Sequence, residues 1–196
     1  MKEVSAKVFH IFFEPAKAKG ISLEQMVANT RVSVETLTSK NGRLDWSDLC
    51  QIHKNLRPAF SDDDLTEVGR SYFRSPALRF VFVIARLRFT PIAFYRWLNK
   101  PRNGAGNQMF TCVQPTHIDV SESECALELR LPEGYEVCWD FFLTSKGNME
   151  EMPTLLGYPR AMVRLERIER GGRFRIMIPK QTPLVTRMRR AVTWPF

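Results

Sequence analysis

The stretch RNGAGN, residues 102–107, divides the chain into two halves with different periodicities. Before it, apolar residues recur every three or four positions, as on helices; after it, they recur every two, as on strands. Two glycines and two asparagines in six residues favour neither state, so this is the strongest break in the chain. A helical half followed by β-β-α-β-β and an outgoing helix predicts an α+β fold. The helical half would pack on an antiparallel sheet, and the lack of βα alternation argues against a parallel doubly wound sheet.

The first half carries clear helix punctuation. VSAKVFHIFFEPAKAKG places Val4, Val8, Ile11 and Phe12 on one helical face and stops at Gly20. Ser22 and Ser61 are placed as N-caps, the latter followed by three aspartates that suit the positive end of a helix dipole. Ser75-Pro76 and Thr90-Pro91 read as cap-plus-proline starts of two further helices. LDWSDLCQIHKNL sets Trp46, Leu49, Cys50, His53 and Leu56 on one stripe. ALRFVFVIARLRF (77–89) is the longest apolar run, but three arginines interrupt it. It falls well short of the roughly 20 residues a membrane span needs and reads as a buried helix.

In the second half, MFTCV (109–113) and CALELRL (125–131) are the expected first strands. A helix over 136–150 follows, with Cys138, Phe141, Phe142, Ser145 and Met149 at helical spacing. AMVRLERIE and RFRIMIP form a hairpin around Gly171-Gly172, in which Val163 and Leu165 match Phe174 and Ile176 in character. The expected organisation is a helical subdomain over 1–103 and a sheet with one helix over 104–180, in the same compact domain. Residues 181–196 would form an amphipathic connector helix leading to an output domain.

Charge is unevenly placed. The chain carries 29 Lys and Arg against 21 Asp and Glu, a net charge of +8. From Leu156 onward there are ten basic and two acidic residues, so the whole excess lies at that end and the preceding 155 residues are neutral. That distribution speaks against a domain built throughout to wrap nucleic acid. Arg164, Arg173 and Arg175 fall opposite the apolar face of the last hairpin and form the candidate anion- or nucleotide-binding set.

Motifs of catalysis are absent: no GxSxG, P-loop, GxGxxG after a strand, or HExxH. The four cysteines (Cys50, Cys112, Cys125, Cys138) form no CxxC pair, and the N-terminus lacks a signal-peptide pattern, which predicts reduced thiols in a cytoplasm. Cys50 and His53 share a helical face at a metal-compatible spacing, yet they sit in an apolar stripe without a second pair, so no metal is expected. His117 follows Pro115-Thr116 in an expected turn and is the residue a haem reading would consider.

Residues AKGISLEQMVANTRVSVETLTSKNGRLDWSDLCQIHKNLRPAFSDDDLTEVG resemble the helical start of the arabinose-binding-like N-terminal domains of AraC-type regulators. LPEGYEVCWDFFLTSKGNMEEMPTLLGYPRAMVRLERIERGGRFRIMIP resembles the N-terminal sensory regions that precede histidine kinase or cyclase modules in bacterial signalling proteins. It also resembles, more faintly, vinyl-reductase-like and haem–nitric-oxide-binding domains, although the tyrosine–serine–arginine pattern of the haem-binding family is missing. The resemblance implies a non-catalytic bacterial sensory domain that binds a small ligand, dimerises, and relays a signal to a kinase, cyclase or DNA-binding output. The alternative is a nucleotide- or nucleic-acid-binding module that uses the C-terminal arginines. A pocket is expected between the 136–150 helix and the inner face of the sheet, with Cys138, Trp139, Phe142 and Tyr158 as candidate lining.

Overall fold

A computed structural model describes residues 2–74, 89–100 and 104–179. The expected helix over 77–89 and the connector over 181–196 lie essentially outside the described residues. The architecture is α+β, as the change of period indicates.

The chain opens with a two-residue strand, β1 (Val4–Ser5), paired antiparallel with β2 (Arg43–Leu44), and not with the helix that the spacing of Val4 and Val8 suggests. A distant part of the chain supplies the hydrogen bonds that decide this. The Ala6 amide donates to the Gly42 carbonyl, and the Arg43 guanidinium donates to the carbonyls of Lys2 and Glu3. A 3₁₀ turn, Ala6–Phe9, then leads into α1 (His10–Ala18), which ends at Gly20 with φ of 77°.

The following helices begin where their caps place them. They are α2 (Leu23–Met26), α3 (Val34–Thr38), α4 (Trp46–Leu56), α5 (Asp62–Ser71) and α6 (Pro91–Leu98). Ser22, Ser33, Ser61 and Thr90 each accept the backbone N–H three residues on, satisfying a donor that the first turn leaves free. Trp46, Leu49, Cys50, His53 and Leu56 of α4 are all buried.

After a short α7 (Ala105–Met109) come β3 (Gln114–Asp119), β4 (Glu124–Arg130), α8 (Trp139–Leu155), β5 (Met162–Ile168) and β6 (Gly171–Met177). The sheet order is β3-β4-β6-β5, antiparallel throughout. The expected strand over 109–113 is displaced to 114–119: Met109 closes α7, and Phe110 makes only a single bridge to Val4. His117 therefore lies on an edge strand opposite Leu127, and not in a turn. In the last hairpin, Val163 faces Ile176 and Leu165 faces Phe174, as their character suggests. The turn itself is Glu169-Arg170, with Arg170 at φ of 56°, and both glycines belong to β6. Gly172 is needed there because a Cβ would come within 2.9 Å of the Phe142 ring on α8.

α8 crosses α5 even more closely. A Cβ on Gly69 would lie 1.9 Å from the Thr144 carbonyl oxygen, and one on Gly147 would lie 1.8 Å from that of Thr66. The two glycines thus let the two backbones touch. Beside the crossing, Arg70 and Lys146 both meet the buried Glu150 carboxylate at 2.5 Å.

Candidate ligand-binding cavity

α8 also borders a cavity of about 350 Å³, which Tyr72 and Phe73 after α5 and the sheet residues Pro115 and Leu129 help to line. Phe9 and Phe12 supply one wall, Leu49 and His53 of α4 a second, and Phe94 and Trp97 of α6 a third. α8 closes it with Phe141, Thr144, Ser145, Asn148, Met149 and Met152. The amphipathic stripes explain this placement: α1 and α4 both turn their apolar sides inward, while residues 139–155 are buried nearly all round. Tyr95 pins α6 to α8 by donating its hydroxyl to the Met149 carbonyl, and burial holds its pKa well above the usual tyrosine value.

The lining is apolar with few polar groups, the usual character of a small-molecule site. His53 lies edge-on to Phe12 at 5.5 Å between centroids, with Phe9 at 6.1 Å. Burial pushes its pKa down to about 4, so its imidazole is neutral near pH 7. Two polar atoms buried on this lining have no hydrogen-bond partner: His53 Nδ1 and Asn148 Oδ1.

The residues singled out from the sequence are distributed elsewhere. Cys138 caps α8 and contacts Cys50. Trp139 packs on Phe142 and lies under the Arg167 guanidinium, 4.3 Å from the ring centroid. Phe142 sits on the sheet against Phe174. Tyr158 lines a shallow groove with Arg96, Asp119 and Ile178. None of the four borders the 350 Å³ cavity, which is lined by helical residues together with Pro115 and Leu129 of the sheet. The signal that would have found it was the α4 stripe, in which His53 is the basic residue among Trp46, Leu49, Cys50 and Leu56.

The thiols are buried and free. Burial pushes Cys112 and Cys125 up to about 12, and a thiol–thiol hydrogen bond with Cys50, reinforced by burial, holds Cys138 well above its ordinary value. No cluster of three or more His, Cys, Asp or Glu able to hold a metal occurs among the described residues. Arg164, Arg173 and Arg175 do share the outer sheet face, but carboxylates meet them. Arg173 pairs with Glu128 at 2.5 Å, and Arg175 and Arg164 reach Glu166 at 3.1 and 3.5 Å.

Comparison with solved structures places this architecture. The Fe(II) unliganded H-NOX protein from K. algicida is 13% identical and matches with a TM-score of 0.67, over 91% of this chain and 98% of that one. An H-NOX protein from S. oneidensis in the Fe(II)NO ligation state is 10% identical, with a TM-score of 0.63 over 90% of this chain and 100% of that one. The chain has the H-NOX fold. An oxygen-binding H-NOX domain related to soluble guanylate cyclases, in its oxygen complex, also matches: 13% identity and a TM-score of 0.56, over 92% of this chain and 96% of that one. These H-NOX likenesses support the fainter of the sequence resemblances and lend nothing to the arabinose-binding-like one. No protein-family model matches the chain, and no curated protein matches it at a significant level. No described helix of this H-NOX-fold chain is long and apolar enough to cross a membrane.

Proposed function

We propose that this is a non-catalytic sensory domain that holds a small, largely apolar molecule in the cavity between α1, α4, α6 and α8, and relays its presence to an output module. The observation that carries the reading is the cavity itself. It is bordered by helices of the first half, by α8 and by Pro115 and Leu129 of the sheet, and at about 350 Å³ it falls within the range of roughly 300–1,000 Å³ typical of small-molecule sites. An occupant there touches both halves at once, so its binding free energy couples directly to how they pack. The structural neighbours include a domain related to soluble guanylate cyclases, which supports a signalling role; a kinase, cyclase or DNA-binding output and a homodimeric assembly are part of this proposal.

The H-NOX neighbours raise haem as the occupant. A haem needs an axial donor for iron and hydrogen-bonding or cationic partners for two propionates. His53 offers a neutral imidazole with an unpartnered nitrogen, which meets the first need. For the second the described lining offers hydroxyls and amides, Tyr72, Asn99, Asn107 and Ser145 among them, but no lysine or arginine to balance two carboxylates. The described lining therefore suits an uncharged organic ligand better than a haem. The anion-binding alternative through Arg164, Arg173 and Arg175 is weakened by Glu128 and Glu166, which already meet those cations.

Absorbance and melting test the reading together. The purified chain is expected to show no Soret band, to melt higher with naphthalene, and to lose that shift when Ile11→Trp fills the cavity. A Soret band that survives purification overturns the haem-free reading, and an unchanged naphthalene shift in Ile11→Trp moves the site elsewhere.

A further inference from the structure

Buried polar atoms in folded proteins nearly always have partners, so each exception asks for an explanation. Two such atoms, His53 Nδ1 and Asn148 Oδ1, belong to residues lining the same cavity and have none. They come from different helices, α4 and α8, and His53 is only 3% exposed. The surrounding wall is aromatic and aliphatic: Phe9, Phe12, Phe94, Phe141 and Met149. Packing alone gives no reason for an imidazole and an amide here, since leucine or phenylalanine would fill the same space without stranding a polar atom.

We infer that the ligand is an uncharged, mostly apolar molecule bearing a hydroxyl group, and that His53 and Asn148 are the residues that recognise that hydroxyl. This deepens the sensory reading above and rests on it. A hydroxyl donates its one hydrogen to the Asn148 amide oxygen and accepts from His53 Nδ1–H, so it satisfies both atoms when the histidine carries its proton on Nδ1. A carboxylate or an ammonium would enter a lining whose described residues include no Asp, Glu, Lys or Arg, and would be buried without a counter-charge. The neutral state of His53, enforced by burial, agrees with an uncharged guest. The discrimination that follows is large in one direction: a site built around a hydroxyl rejects the analogue that lacks it, because the protein's own polar atoms then stay unpaired.

Naphthalene and 1-naphthol, matched in ring system and differing by one hydroxyl, are suitable probes for calorimetric titration of the full chain. Both are expected to bind, 1-naphthol about tenfold more tightly. Asn148→Leu and His53→Phe, each checked for cooperative melting and read separately, are expected to cut that preference to about twofold while leaving naphthalene affinity within about threefold. Equal affinities for the two probes in the native chain overturn the inference and leave the apolar cavity standing. So does a tenfold preference that persists in whichever variant folds. If neither probe binds the native chain, the sensory reading and the inference fall together.

Discussion

The two sides of α8 are built on opposite principles. Toward α5 it makes a crossing in which the Gly69 and Gly147 positions leave no space for a methyl group. Toward α1, α4 and α6 it leaves about 350 Å³ open, lined by rings and methionines. The tight side fixes the helix by contact and by the Arg70–Glu150–Lys146 ion pairs; the loose side leaves room for something else to finish the packing. A wall anchored rigidly behind and unfilled in front suits a sensor. A ligand can change how α1, α4 and α6 seat on α8 without unseating α8 from α5.

The sharpest way to break this contrast is to attack the tight side. Gly147→Val places branched carbon atoms on the Thr66 carbonyl, where the backbone cannot yield, and is expected to cost about 4 kcal/mol in urea denaturation. A loss below about 1 kcal/mol would show that the crossing can open and that the two sides are not distinct.

Next in size is the pH response of the loose side. His53 titrates at about 4 when folded, against about 6.5 when unfolded, so the unfolded chain takes up the proton first as pH falls. Its contribution is neutral above about pH 6.5 and becomes destabilising between there and pH 4, reaching about 3 kcal/mol. Comparing native and His53→Phe chains in denaturant at pH 7 and pH 4 isolates this limb. The native chain should lose about 3 kcal/mol more than the variant.

A smaller effect is expected from Arg70→Leu, which leaves Glu150, buried beside the crossing, with Lys146 alone. Arg70 is partly solvated, so the cost should be about 2 kcal/mol, well below that of removing the only partner of a buried charge. The smallest stability change belongs to Ser145→Phe, which fills the open side. Its midpoint should move by less than about 1 kcal/mol, while its naphthalene shift in thermal melting disappears. A large destabilisation there, matching that of Gly147→Val, would erase the contrast.

Several elements of this fold were legible because their causes are local. A serine or threonine that caps its own helix acts over three residues, so Ser22, Ser61 and Thr90 announce helix starts in the sequence itself. The alternation of Cys125, Leu127 and Leu129 likewise marks the inner face of β4 without reference to any partner. β3 was misread because QPTHID, an edge strand, has neither alternation nor apolar character, and only its pairing with β4 makes it a strand. β1 and β2, two residues each, exist for the same non-local reason.

The candidate site divides the same way. The sequence alone determined an α+β chain, the α4 stripe that contains His53, and a helix near 136–150 that is buried rather than chemically armed. Only the tertiary structure decided which side of that helix is filled. Phe142 settles on the sheet and Gly147 on α5, and the space falls beside them, among residues from α1, α4, α6 and the sheet that are distant in sequence. A cavity is a shortfall of packing among several elements at once, and no periodicity within one element records it.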